Sequence, residues 1–161
     1  MKPLVYLESS LVSYLTAQPS RDLIVAAHQQ LTRDWWLARD AYSLFVSQVV
    51  VEEAGQGDPE AARRRLAAIG DLPLLEVSGA AVDLASALVV EGAVPAKAPL
   101  DALHIAVAAV HGMHYVLTWN FKHLANAAMR LAIEGVCARH GYGPPVICTP
   151  EELLGGGDDV V

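Results

Sequence analysis

Cysteine is nearly absent from this 161-residue chain: Cys137 and Cys148 are the only two, spaced for neither a disulfide framework nor a zinc ribbon. A reducing compartment suits such a chain. Charge is sparse as well, at 18% of residues, and its 18 acids against 11 bases leave a formal net charge of −7. That balance excludes a protein that grips nucleic acid through bulk positive charge, so any such contact must be local. The densest basic run, Arg63-Arg64-Arg65, falls on a helical pattern and reads as a solvated face. Long apolar runs are missing too. Stretches such as Ile105 to Val110 stop well short of the ~20 residues of a bilayer span, and Met1-Lys2-Pro3 does not open a signal peptide. The expectation is a soluble, cytoplasmic protein with no membrane partner. Several chemical motifs are also lacking. Without GxGxxG, GxxxxGK[ST] or GxSxG, the dinucleotide, P-loop and serine-hydrolase readings lose their main support. The six histidines form neither an HExxH pair nor a Cys/His finger.

Apolar residues are abundant, at 53%, enough to offset the entropy of ordering one core. A single domain over residues 1–154 is expected, followed by a disordered tail, 155–161. Leu4 to Leu7 is a strand-forming run, and Glu8-Ser9-Ser10 after it offers hydroxyls to cap a helix. Ile24, Ala27, Leu31, Trp35 and Ala38 recur at helical spacing between Ser20 and Asp40. Trp35-Trp36 should place one ring in the core and the other near the surface. Leu44 to Ser47 predicts a second strand running into a helix that ends at Gly55. Further helices are predicted over 60–69, 79–91, 99–110 and 121–140, and strands over 74–77, 115–118 and 146–148, with a turn at 150–153. The Pro99 to Val110 helix is apolar almost all round and belongs inside.

Strands alternating with helices predict a parallel sheet covered on both faces, whose ligands bind beyond the carboxyl ends of the strands. Glu8, at the end of the first strand, Asp101, in the first turn of the buried helix, and Asn120, just past the Thr118 strand, all belong to that edge. Glu53, on the helix after the second strand, can reach it. Singly, each suits a helix terminus or turn. Together, carboxylates in one place repel unless a cation neutralises them, and hard divalent ions favour oxygen ligands. His104, one turn beyond Asp101, reads first as a satisfied core histidine, with a hydrogen bond to that carboxylate as the alternative.

Four segments carry a resemblance to a known family: Val5-Tyr6-Leu7-Glu8-Ser9-Ser10, Val46-Ser47-Gln48-Val49-Val50-Val51-Glu52-Glu53, Leu100-Asp101-Ala102-Leu103-His104-Ile105-Ala106 and Leu117-Thr118-Trp119-Asn120-Phe121-Lys122-His123-Leu124. With the closing Ile147 to Leu153, they resemble the PIN domain family from Leu4 almost to Leu153, on a bacterial branch with toxins of the VapC type. The resemblance implies a three-layer α/β/α Rossmann-like PIN fold, with a central, mostly parallel sheet of four to five strands. It also implies a Mg²⁺- or Mn²⁺-dependent ribonuclease, acting as the toxin of a toxin-antitoxin pair. Its partners would be an RNA substrate, an antitoxin protein and a second copy of the chain in a homodimer. By position, Glu8, Glu53 and Asp101 would hold the metal, Asn120 would complete the catalytic set, and Thr118 and Ser9 would support it. Glu8 stands where the family usually has Asp, and Asn120 where a fourth acid is common. These two departures motivate an alternative, a PIN-like module that binds RNA or a protein partner without turnover.

Overall fold

The computed structural model describes residues 1–154, so the predicted tail, 155–161, lies outside the described residues. Five parallel strands form one sheet in the order β3-β2-β1-β4-β5: β1 (Leu4–Leu7), β2 (Ser43–Ser47), β3 (Leu74–Leu75), β4 (Tyr115–Leu117) and β5 (Val146–Cys148). Eight α-helices flank it among the described residues: α1 (Ser9–Thr16), α2 (Leu23–Leu37), α3 (Gln48–Ala54), α4 (Pro59–Ile69), α5 (Gly79–Val90), α6 (Pro99–Val110), α7 (Ala127–Arg139) and α8 (Pro150–Leu154). This is the expected α/β class, a Rossmann-like three-layer arrangement. None of the described helices is long and apolar enough to cross a membrane.

Chain order reverses at β1. From it the chain winds outward through β2 to β3, then returns to lay β4 against the other side of β1. Diverging crossovers leave a crevice at the carboxyl ends of such a pair, and here the pair is β1 and β4. Both strands are buried, from Val5 to Leu7 and at Val116 and Leu117. Helix α6 lies inside as its composition predicts, with Ala102 and the run from His104 to Ala109 buried. Each fully buried Leu or Ile here contributes roughly 1.5–3 kcal/mol relative to exposure.

Local chemistry moves several boundaries. The cap of α1 is the Glu8 carboxylate, which accepts from the Ser10 backbone, rather than a serine hydroxyl. Helix α2 starts at Leu23 rather than at Ser20, because the Asp22 carboxylate accepts from the Ile24 and Val25 amides. Its buried line is Gln29, Thr32 and Trp35, leaving Ile24 and Ala27 exposed. Residues 121–126 form no helix; α7 begins after Asn126, whose side chain caps it. The turn at 150–153 is helical, as α8. The arginine run is more than a solvated face: Arg65 donates to the Ala54 carbonyl at 2.9 Å and Arg64 to that of Thr16, tying α4 to the ends of α3 and α1. Trp35 is buried, whereas Trp36 is partly exposed under the Arg39 guanidinium.

Both cysteines are free and buried. Burial pushes the Cys137 thiol up to about 11 and the Cys148 thiol up to about 12. Since the thiolate is the nucleophile, the native protein at pH 8 is expected to react with a disulfide reagent at least ~10-fold more slowly than in denaturant. Two rapidly titrating thiols in the native state would contradict this.

Candidate active site

Glu8 ends β1 on the crevice and is almost completely buried, with 4% of its surface exposed. Its Oε2 takes hydrogen bonds from the Ser10 amide (2.8 Å), the Ser10 hydroxyl (2.5 Å) and the Thr118 hydroxyl (3.0 Å). None of the three goes to Oε1. Burial raises the Glu8 pKa; the charge of nearby His104 and the bonds from Ser10 and Thr118 oppose the rise without cancelling it. A buried carboxylate held this way, with one oxygen left over, has unspent affinity for a cation.

Thr118 carries the connection to the next group. Its hydroxyl oxygen accepts from the Asn120 amide at 2.9 Å, turning the chain sharply after β4. Asn120 then spends both ends of its own amide. Nδ2 donates to Asp101 Oδ1 at 3.3 Å, and Oδ1 accepts from the His123 backbone at 3.1 Å. Asp101 in turn has Oδ2 2.9 Å from His123 Nδ1. An unbroken series of contacts therefore runs from Glu8 through Thr118 and Asn120 to Asp101.

Glu53 approaches from the other side. It projects from α3, more than one helical turn beyond Ser47, the buried end of β2, and its Oε1 lies 2.5 Å from His104 Nε2. Burial raises the Glu53 pKa, but the hydrogen bond and charge of His104, with help from Ser9, overcome that and leave it lowered. His104 therefore meets Glu53 rather than Asp101, because its ring crosses from α6 toward α3. The histidine on Asp101 is His123.

The expected residues thus divide into two connected groups. Glu8, Thr118, Asn120 and Asp101 are joined by direct hydrogen bonds; Glu53 is held by His104 and reached by Ser9. Glu8 and Glu53 both act on the buried Tyr6 hydroxyl, raising its pKa further beyond the effect of burial, which brings the two groups to the same neighbourhood. Among the described residues, no three His, Cys, Asp or Glu side chains converge as a ready-made metal cluster. Sequence reasoning missed Ser10, Tyr6, Ser47 and His123. Ser10 was open to detection, since a hydroxyl two residues past an N-cap carboxylate lies within its reach.

Fold and site define a class: an open parallel α/β domain with an acidic, hydrogen-bonded edge at its switch point. No protein-family model matches the chain, and no curated protein does.

Proposed function

We propose that the protein is a divalent-metal-dependent ribonuclease of the PIN class, acting in the cytoplasm as the toxin of a toxin-antitoxin pair. The observation that carries this reading is Glu8, a buried carboxylate at the switch point, one of whose oxygens takes no hydrogen bond among the described residues, with an acid, Asp101, two bridging residues away. The donor set is oxygen, from Glu8, Glu53 and Asp101, and it fits a hard ion such as Mg²⁺ or Mn²⁺. The chemistry such an ion supplies when bound is acidification of a water and polarisation of a phosphoryl oxygen.

The chain's own residues prepare the rest. Ser10 and Thr118 fix the Glu8 carboxylate by one oxygen, Oε2, which leaves Oε1 as the oxygen that would hold the ion. Asn120 and His123 hold Asp101 from its two sides, so that a neutral amide stands where a fourth carboxylate would add negative charge. Less charge on the ligands means weaker metal binding, which suits Mn²⁺ concentrations above those a four-acid site needs. An RNA substrate, an antitoxin partner and a homodimer belong to the same reading.

Single-stranded and structured RNA incubated with the purified protein should be cut when Mn²⁺ or Mg²⁺ is supplied and spared when EDTA is added. Intact RNA across a wide range of either metal removes the enzymatic reading. RNA retention without cleavage under those conditions establishes the alternative, a binding module, which the Asn120 amide, bonded to protein at both ends, favours over a four-ligand centre.

A further inference from the structure

A line of hydrogen bonds runs through the core to Glu53 and has no packing requirement of its own. Ser47 Oγ lies 2.8 Å from the Tyr6 hydroxyl, the Tyr6 hydroxyl lies 2.7 Å from His104 Nδ1, and His104 Nε2 lies 2.5 Å from Glu53 Oε1. Tyr6, Ser47 and His104 are each fully buried, on β1, at the end of β2 and on α6. An apolar side chain at any of them would fill the core with fewer polar groups to satisfy. Three separate elements instead contribute one polar group each, and the series ends on a carboxylate of the candidate site.

The donors can be assigned from the acceptor at its end. An ionised Glu53 can only accept, so Nε2 carries the proton toward it. With a neutral ring, Nδ1 accepts from Tyr6 and Tyr6 accepts from Ser47; with a charged ring, the two upstream bonds reverse. The bond to Glu53 has the same direction in both. The tilted packing of the Tyr6 and His104 rings, with centroids 5.8 Å apart, restricts the imidazole further.

We infer that His104 is a positioning residue for Glu53, locked by Tyr6 and Ser47, which commits Oε1 to the protein and presents Oε2 as the oxygen available to a divalent cation. This rests on the metal-site reading above and adds residues to it. Glu is among the side chains with the most rotamer freedom to lose, and Glu53 is still partly exposed. Fixing it before a ligand arrives removes that loss from binding, and outer partners of this kind typically change metal affinity by 10- to 100-fold.

Mn²⁺ affinity of the full chain, measured by calorimetry and by water-proton relaxation with no RNA present, tests this. Tyr6→Phe keeps the ring but frees Nδ1, and is expected to weaken Mn²⁺ binding about 10-fold. His104→Leu should weaken it more, and His104→Gln, whose amide can still donate to Glu53, should recover part of the loss. Nitrogen-15 spectra of the imidazole should show a proton on Nε2 of His104 in wild type. Circular dichroism and thermal melts establish that each variant is folded, and Tyr6→Phe keeps the test decisive should His104→Leu fail to fold. Wild-type affinity in both Tyr6→Phe and His104→Leu, with Asp101→Asn abolishing binding, overturns the positioning role and leaves the metal site standing. No Mn²⁺ binding by wild type overturns both.

Discussion

Asp101→Asn is expected to lower metal-dependent RNA cleavage by about 100-fold or more, because the substitution takes one full negative charge from the ligand set. The exchange is nearly isosteric. Asn at 101 keeps an oxygen that can accept from Asn120 Nδ2, now 3.3 Å away, and α6 keeps its Pro99 start. What the helix loses is one acid in its first turn, worth about 0.3–1 kcal/mol through the helix dipole. The contact with His123 Nδ1 also changes character, since an amide is a weaker acceptor than a carboxylate. Melting should therefore shift by a few degrees at most while kcat collapses. Rates at saturating Mn²⁺ separate weakened metal binding from lost chemistry. Cleavage unchanged by the substitution would leave Asp101 as a helix-terminal acid and take the ribonuclease reading with it.

That contrast between a stable fold and a lost activity reflects how the two were written into the sequence. Where apolar runs are bounded by strong punctuation, the elements were legible: Leu4 to Leu7 before a cap, the Ser47-Gln48 passage from strand to helix, and Pro99 to Val110, whose boundaries agree with the structure. Helix α2 was legible as a helix but not in its orientation. Gln29 is buried because its side chain bonds the Ser20 amide and the Gln18 carbonyl, and Thr32 because it sits between the His28 carbonyl and the Trp119 indole. Periodicity counts apolar residues, so it cannot anticipate polar groups satisfied by distant partners.

The candidate site shows the same division. Glu8, Asp101 and Asn120 could be assigned to one edge because strand ends and helix starts follow from local signals. Their mutual contacts depend on loops that periodicity does not describe. Residues 121–126 follow a helical pattern in sequence, yet the Leu124 and Ala125 amides both donate to the Asn120 carbonyl, closing a turn instead. That turn delivers His123 to Asp101. His104 was correctly read as buried, but the partner of a ring on an internal helix is set by which helix packs opposite, a tertiary fact.

Glu8→Gln is expected to move stability and function in opposite directions. The amide keeps an oxygen for the Ser10 and Thr118 donors, so the cap of α1 survives. It removes a charge that burial penalises, and by the usual cost of burying an incompletely paired polar group the gain at neutral pH should be about 1–3 kcal/mol. The sign with pH follows from the raised Glu8 pKa. A carboxyl that binds its proton more tightly when folded contributes its stability fully below the unfolded pKa, ordinarily 4.5, and loses it as pH rises through the folded value. Glu53, with its lowered pKa, acts oppositely, but it is present in both proteins and cancels in their difference. The advantage of Glu8→Gln in denaturant melts should therefore be near zero below pH 4.5 and grow toward neutrality. Adding Mn²⁺ should stabilise wild type by mass action and leave the variant almost unmoved, since its affinity should be at least ~10-fold weaker. A variant less stable than wild type at pH 7 without metal would show that the Glu8 charge is satisfied within the protein, and the case for a cation there would fall.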